Sequence, residues 1–146
     1  MSKANIKALS MLQPRTDEDR RLLNDAACRA LIEYQILNYP SFALPSIAAP
    51  VVVCGIAHAA GVGEVWMVTG KGFEEQFRTV LRQQRAGLPQ LIRVLDIHRL
   101  HMLVDPARAG VCRYAEAAGF EFEARLKRMG ARGQDLEMYV YKGGMP

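Results

Sequence analysis

Residues 64–85, EVWMVTGKGFEEQFRTVLRQQR, decide how the chain is read. Val65, Trp66, Met67 and Val68 form an almost continuous apolar run, which predicts a central strand covered on both faces. Gly70 and Gly72 then break it. From Phe73 onward the apolar residues Phe73, Phe77, Val80 and Leu81 fall at i, i+4, i+7 and i+8, and Glu74 and Arg78 make an i, i+4 pair on another face. That spacing predicts an amphipathic helix. A strand that passes through glycines into a helix leaves backbone N–H groups aimed at one point, which suits a phosphate or pyrophosphate. The same glycines serve a plain tight turn equally well, so both readings stand.

Working outward, the β-branched run 51–57 predicts another strand, joined through the small residues 59–63 to the strand at 64–69 as an antiparallel hairpin. Gly87, Leu88 and Pro89 predict a stop after the helix, with a short second helix over 90–95. Residues 100–104 predict a second buried strand. Asp105 and Pro106 read as the N-cap and first position of a helix whose face carries Val111, Tyr114 or Ala115, and Ala118, with Gly119 at its end. In 120–126, Phe120, Phe122, Ala124 and Leu126 alternate with charged residues, the period of a half-exposed strand. A polar turn over 130–135 returns the chain through a last strand, 136–142, with Leu136, Met138 and Val140 on one face.

Toward the N-terminus, 6–13 predicts a short first strand ended by Pro14, which has no N–H for a ladder. Thr16 then caps a helix with Asp17, Glu18 and Asp19 in its first turn and an apolar face of Leu23, Ala27, Ala30, Leu31 and Tyr34, running to about Asn38. Residues 39–50 carry Pro40, Pro45 and Pro50, and predict a loop with at most a short extended piece, neither helix nor internal strand.

Composition bounds the class. A chain of 146 residues, 50% hydrophobic and 23% charged, is expected to be one domain, 1–146, able to bury ~70% of its unfolded surface. The net charge of +4 is mild and the basic residues are scattered, so charge alone does not argue for nucleic acid. Cys28, Cys54 and Cys112 are isolated and odd in number, which fits small core residues in a reducing compartment and not a disulfide frame or zinc site. There is no apolar run of signal-peptide or membrane-span length, so the expected location is the cytoplasm or a particle assembled there.

The elements so read form an α/β domain with a mixed sheet. In that order the chain resembles the GNAT superfamily of acyl-CoA-dependent N-acyltransferases. The run VCRYAEAAGFEFEARL, 111–126, is similar to the family's helix, Gly-Phe and strand signature, and QPRTDEDRRLL, 13–23, to its passage from first strand to first helix. Within the superfamily, GVGEVWMVTGKG and the ending YVYKGG look most like short acetyltransferase-like proteins of podovirus-type phages, some of them virion-associated. The resemblance implies a mostly antiparallel sheet with a central parallel strand pair, 64–69 beside 100–104, splayed to form the cofactor cleft. It also implies that acetyl-CoA would meet Val68, Thr69, Gly70, Lys71 and Gly72. The family's loop carries an Arg or Gln followed by spaced glycines, whereas here Val68 runs directly into Thr69, Gly70, Lys71 and Gly72, an abbreviated form.

An acyltransferase needs a base for the acceptor amine and an acid for the departing thiolate. Glu64 is the one carboxylate on the central strand and the candidate base, with a solvated strand-start residue as the other reading. The family's acid is often a Tyr four residues before the glycine that ends the last helix. That position is Ala115 here, and Tyr114 is rotated from it by ~100°, which leaves Tyr114 as candidate acid or core residue. His98 and His101 would pair as metal ligands only on a helix, and no metal site is expected. His58 and Cys112 show no sign of activation. Arg125, Lys127, Arg128 and Arg132 cluster near the last hairpin, a solvated face or a surface for an acidic partner or nucleic acid. Two functions follow: an accessory or structural component of a phage particle with protein partners, or an acetyl-CoA-dependent N-acetyltransferase.

Overall fold

A computed structural model of the chain describes residues 2–108 and 110–143. Gly144, the last residue of the YVYKGG ending, lies outside them. The sheet has seven strands in the order β1-β2-β3-β4-β5-β7-β6, where β1 is Ser2–Lys3, β2 Ser41–Leu44, β3 Val52–Ala59, β4 Val62–Thr69, β5 Arg99–Val104, β6 Phe120–Leu126 and β7 Leu136–Tyr141. Among the described residues five helices accompany it: α1 Ile6–Met11, α2 Asp17–Asn24, α3 Ala26–Asn38, α4 Phe73–Val94 and α5 Val111–Ala117. The chain divides into two compact units, Met1–Ala57 with Trp66–Gln83, and His58–Val65 with Gln84–Pro146.

In the first unit, the segment expected to be the first strand is helical instead. Asn5 caps α1 by accepting the Ala8 N–H at 3.1 Å, and Ala8, Leu9 and Leu12 are buried at helical spacing. Strand and helix patterns are hard to tell apart in so short an apolar run, and the cap tips the balance. The single helix expected from Thr16 to Asn38 is two. Asp25 adopts extended angles (φ −70°, ψ 125°), ends α2 and accepts the Cys28 N–H to start α3. The break resets the helical phase, so Ile32 and Ile36 point inward while Leu31 and Tyr34, expected on the buried face, are 60% and 54% exposed. The proline-rich segment holds an internal strand rather than a loop: β2 pairs antiparallel with β1 and with β3, Ser41↔Gly55 through Leu44↔Val52. Pro40 and Pro45 flank the strand and remove no ladder donor from it. The core of this unit gathers Ala8, Leu9, Leu12, Leu23, Ile32, Ile36, Ala43, Val53 and Val68, with Trp66 packed against it.

In the second unit the turn between β3 and β4 is two residues, Ala60 (φ 50°) and Gly61 (φ 76°), both left-handed as a tight hairpin demands. The Gly61 carbonyl accepts the N–H groups of His98 (2.8 Å) and Arg99 (3.2 Å), which places the start of β5. β4 and β5 are parallel neighbours, as expected, with the register Val62↔Arg99 through Val65↔Met102. β7 pairs antiparallel with both β5 and β6. The alternation read in β6 is interrupted by a bulge between Phe122 and Ala124, which leaves Phe122 55% exposed. Asp105 does not cap a helix. It holds a separate turn by accepting the Ala107 N–H at 2.9 Å, and α5 begins after Gly110 (φ 77°).

The long helix α4 differs most from its expectation. It runs unbroken through Gly87 and Pro89, where a stop and a second helix were expected. Phe73 and Val80 are buried on one face of its first half and Ile92 is buried in its second, and burial along the helix outweighs the local preferences of glycine and proline.

Candidate functional site

The turn between β4 and α4 is built from Val68 to Gly72, and the N–H groups of Thr69, Gly70 and Lys71 are engaged within the protein. Val68 and Thr69 are buried, at 1% and 2% exposure, so they close the strand and do not face solvent. The Thr69 N–H donates to Asp19 Oδ1 (3.0 Å), the Gly70 N–H to the Val51 carbonyl (2.8 Å) and the Lys71 N–H to the Gln13 carbonyl (2.7 Å). Pro14 and Gly70 add an isolated antiparallel bridge. Gly70 is closely packed, since a Cβ there would lie 3.0 Å from Leu12 and 3.1 Å from the Gln13 carbonyl. Gly72, at φ 88°, is the left-handed residue that swings the chain into the helix.

Charge at the mouth of this turn is mixed. Glu74 and Glu75 occupy the first turn of α4, where their carboxylates suit the helix dipole. Arg15 donates from Nε to Thr69 Oγ1 (3.2 Å) and from Nη1 to Glu74 Oε1 (3.2 Å), and its guanidinium lies 5.2 Å from the centre of the Phe73 ring. Lys71 is exposed. Sequence reading placed Asp19 in the first turn of the helix capped by Thr16 and gave Arg15 no role of its own. The one available signal was Thr16-x-x-Asp19, a capping box, which the structure contains.

Glu64 lies on β4 directly across from His101 on β5, and its Oε2 stands 3.4 Å from His101 Nε2. The Glu64 side chain is about half exposed, at 51%, and that of His101 14%. Glu64 is therefore a solvent-reaching carboxylate with an imidazole at its side. The sequence did not pair these two, because strand register over 37 positions cannot be counted from spacing. His98 precedes β5 and His101 lies within it, so the helical i, i+3 geometry that would join them is absent. Among the described residues no group of three or more His, Cys, Asp or Glu side chains is placed to hold a metal ion.

Tyr114 is buried on α5 at 4% exposure, beside the fully buried Ala115. Cys112, two residues before Tyr114, donates its thiol to Glu137 Oε2 at 3.7 Å, and Tyr139 donates to the same oxygen at 3.3 Å. The Tyr139 hydroxyl is pushed well above its ordinary range, first by the neighbouring Cys112 thiol and then by burial and the Glu137 carboxylate. It stays a neutral donor. On the exposed side of the β6–β7 hairpin, Arg125 pairs with Asp135 (3.4 Å) and Arg132 reaches Asp105 (3.9 Å), while Lys127 and Arg128 are exposed. No helix among the described residues is long and apolar enough to cross a membrane.

No family model and no curated protein matches the chain. Solved structures do. An acetyltransferase of the GNAT family from Bacillus anthracis shares 16% identity over 95% of this chain and 91% of its own, with a TM-score of 0.68. A putative acetyltransferase from Salmonella typhimurium, solved with its cofactor acetyl-CoA, shares 13% over 95% and 90%, with a TM-score of 0.65. A spermidine N-acetyltransferase from Vibrio cholerae, in its F149A form, shares 13% over 79% and 73%, with a TM-score of 0.62. Likeness at these identities is likeness of fold, and by it the chain has the α/β fold, with a mixed seven-stranded sheet and one parallel pair, of the GNAT-family acetyltransferases.

Proposed function

We propose that this protein is a GNAT-fold accessory component of a larger assembly, of the kind carried in phage particles, whose β4–α4 turn does not serve acyl-CoA. One observation carries the reading: the N–H groups of Thr69, Gly70 and Lys71 donate to Asp19, Val51 and Gln13. A pyrophosphate would have to displace these acceptors, and each charge-assisted bond it fails to make costs roughly 1 to 3 kcal/mol. Two such losses amount to roughly a hundredfold or more in affinity. Contacts to partners then fall to the surfaces. The C-terminal hairpin presents Arg125, Lys127, Arg128 and Arg132 beside Glu121 and Glu123, a charged strip that orients a partner by complementary potential. The 39–50 segment offers Tyr39 and Phe42, both half-buried, as apolar anchors.

Titration calorimetry with acetyl-CoA tests this reading, with weak or absent binding as the expected result. A micromolar or tighter dissociation constant, weakened at least about tenfold by Lys71→Glu in a variant that stays folded, overturns it. The result would favour the second reading, an N-acetyltransferase with acetyl-CoA as cofactor. That reading has its own support in the half-exposed Glu64 carboxylate beside His101, a candidate base for a primary amine such as spermidine. Release of free CoA thiol on addition of such an amine, lost in Glu64→Gln, is its signature.

A further inference from the structure

The geometry points to Asp19 as the resident anion of the β4–α4 turn: its carboxylate fills, from inside the protein, a cradle of donors suited to a small external oxyanion. The inference rests on the reading that the turn does not serve acyl-CoA, and it deepens that reading by naming what occupies the two donors of Thr69. Asp19 is completely buried. Its Oδ1 accepts the Thr69 N–H at 3.0 Å. Its Oδ2 accepts the Thr69 hydroxyl at 2.9 Å, the Thr16 N–H at 3.1 Å and the Thr16 hydroxyl at 2.6 Å. Four donors, two from the backbone and two from side chains, thus converge on one carboxylate.

A helix cap alone does not require this set. The capping box of α2 needs the bond from Asp19 back to the Thr16 N–H, and the two bonds to Thr69 reach a residue 50 positions away. Behind the hydroxyl stands a cation: Arg15 Nε donates to Thr69 Oγ1 at 3.2 Å, which commits the Thr69 proton to the carboxylate. N–H and O–H groups converging on one point with a guanidinium one bond behind are the chemistry of an oxyanion site. Here the anion is covalently attached. It cannot leave, and the turn is held closed around it.

Formate is the free equivalent of the Asp19 side chain beyond Cβ, and it is the probe. Asp19→Ala should lower the melting temperature by about 5 to 10 °C, the scale of losing charged hydrogen bonds in a chain of this size. Sodium formate should then raise it again saturably, as a ligand of the folded state does, while sodium chloride at equal ionic strength should not. Wild-type protein should respond to both salts alike. Equal effects of formate and chloride on Asp19→Ala overturn the inference. Where Asp19→Ala does not accumulate as folded protein, Asp19→Asn gives the second readout. One oxygen then remains for two backbone donors on opposite sides, so either the Thr16 or the Thr69 amide loses its acceptor and should exchange with solvent at least about tenfold faster. Unchanged exchange at both amides overturns the inference as well. Tight acetyl-CoA binding by the wild type would sink the proposed function, whereas failed formate rescue sinks the resident anion alone.

Discussion

Arg99 and Glu123 show how far one side-chain pair reaches. Arg99 donates to both Glu123 carboxylate oxygens, at 3.2 and 2.5 Å, and links β5 to β6 across the intervening β7. The bidentate bond holds the Glu123 carboxyl below its ordinary value of 4.5. A group whose folded pKa is depressed contributes stability above its unfolded pKa and loses it as pH falls through the folded one. Urea midpoints measured between about pH 3 and 7 should therefore fall toward the acid end less steeply in Glu123→Gln than in wild type, and parallel curves would show that the pair contributes nothing. Both partners are more than a third exposed, so the effect should shrink in high salt. At this scale the sequence is legible only where chemistry is local. Gly70 and Gly72 announced a turn, and Thr16 announced a cap. The acceptors that occupy the turn, Asp19, Val51 and Gln13, lie in three other segments, and no spacing rule connects them to Thr69, Gly70 and Lys71. Glu64 was legible as a carboxylate on the central strand, and its neighbour His101 only once strand register was fixed.

Helix α4 carries a proline sixteen residues into its 22. Pro89 has no N–H to give the carbonyl four residues back, and its ring crowds that carbonyl, so the helix forms in spite of it. Replacing Pro89 with Ala should stabilise the protein by on the order of 1 to 3 kcal/mol, read from denaturant unfolding. A loss of stability would mean that the proline sets a bend on which packing depends. Sequence reading stopped the helix at Gly87 because local propensity said so. It joined α2 and α3 because Leu23, Ala27, Ala30, Leu31 and Tyr34 trace one apolar face across the break. A helix interrupted by a single extended residue resumes in a new phase, and Leu31, Tyr34 and Leu37 end up outward. Elements with a strong period and no competing cap, β3, β4, β5 and β7, were read correctly to within a few residues.

For the molecule as a whole, the order of strands and helices carried most of the information. The parallel neighbours β4 and β5 and the final β6–β7 hairpin were legible because each is bounded by its own turn residues. Two strands were not: β1 is only two residues, and β2 is hidden between prolines. If the protein works through its surfaces, Phe42→Ala and the paired reversal Arg125→Glu with Lys127→Glu should each reduce co-purification with a large assembly severalfold, while circular dichroism and melting stay near wild type. Recovery of both variants at wild-type levels would refute the assembly role. The bulge at Phe122 and Ala124 bears on a different hazard. β6 is the last strand in the sheet, and its outer backbone edge is the kind of template on which like chains stack into fibrils. A newcomer laid along 120–126 would meet a ladder whose spacing slips by one residue midway, and Glu121, Glu123 and Arg125 beside it. It would lose register on crossing the slip, so the open margin of this sheet is one on which growth stalls after a few bonds.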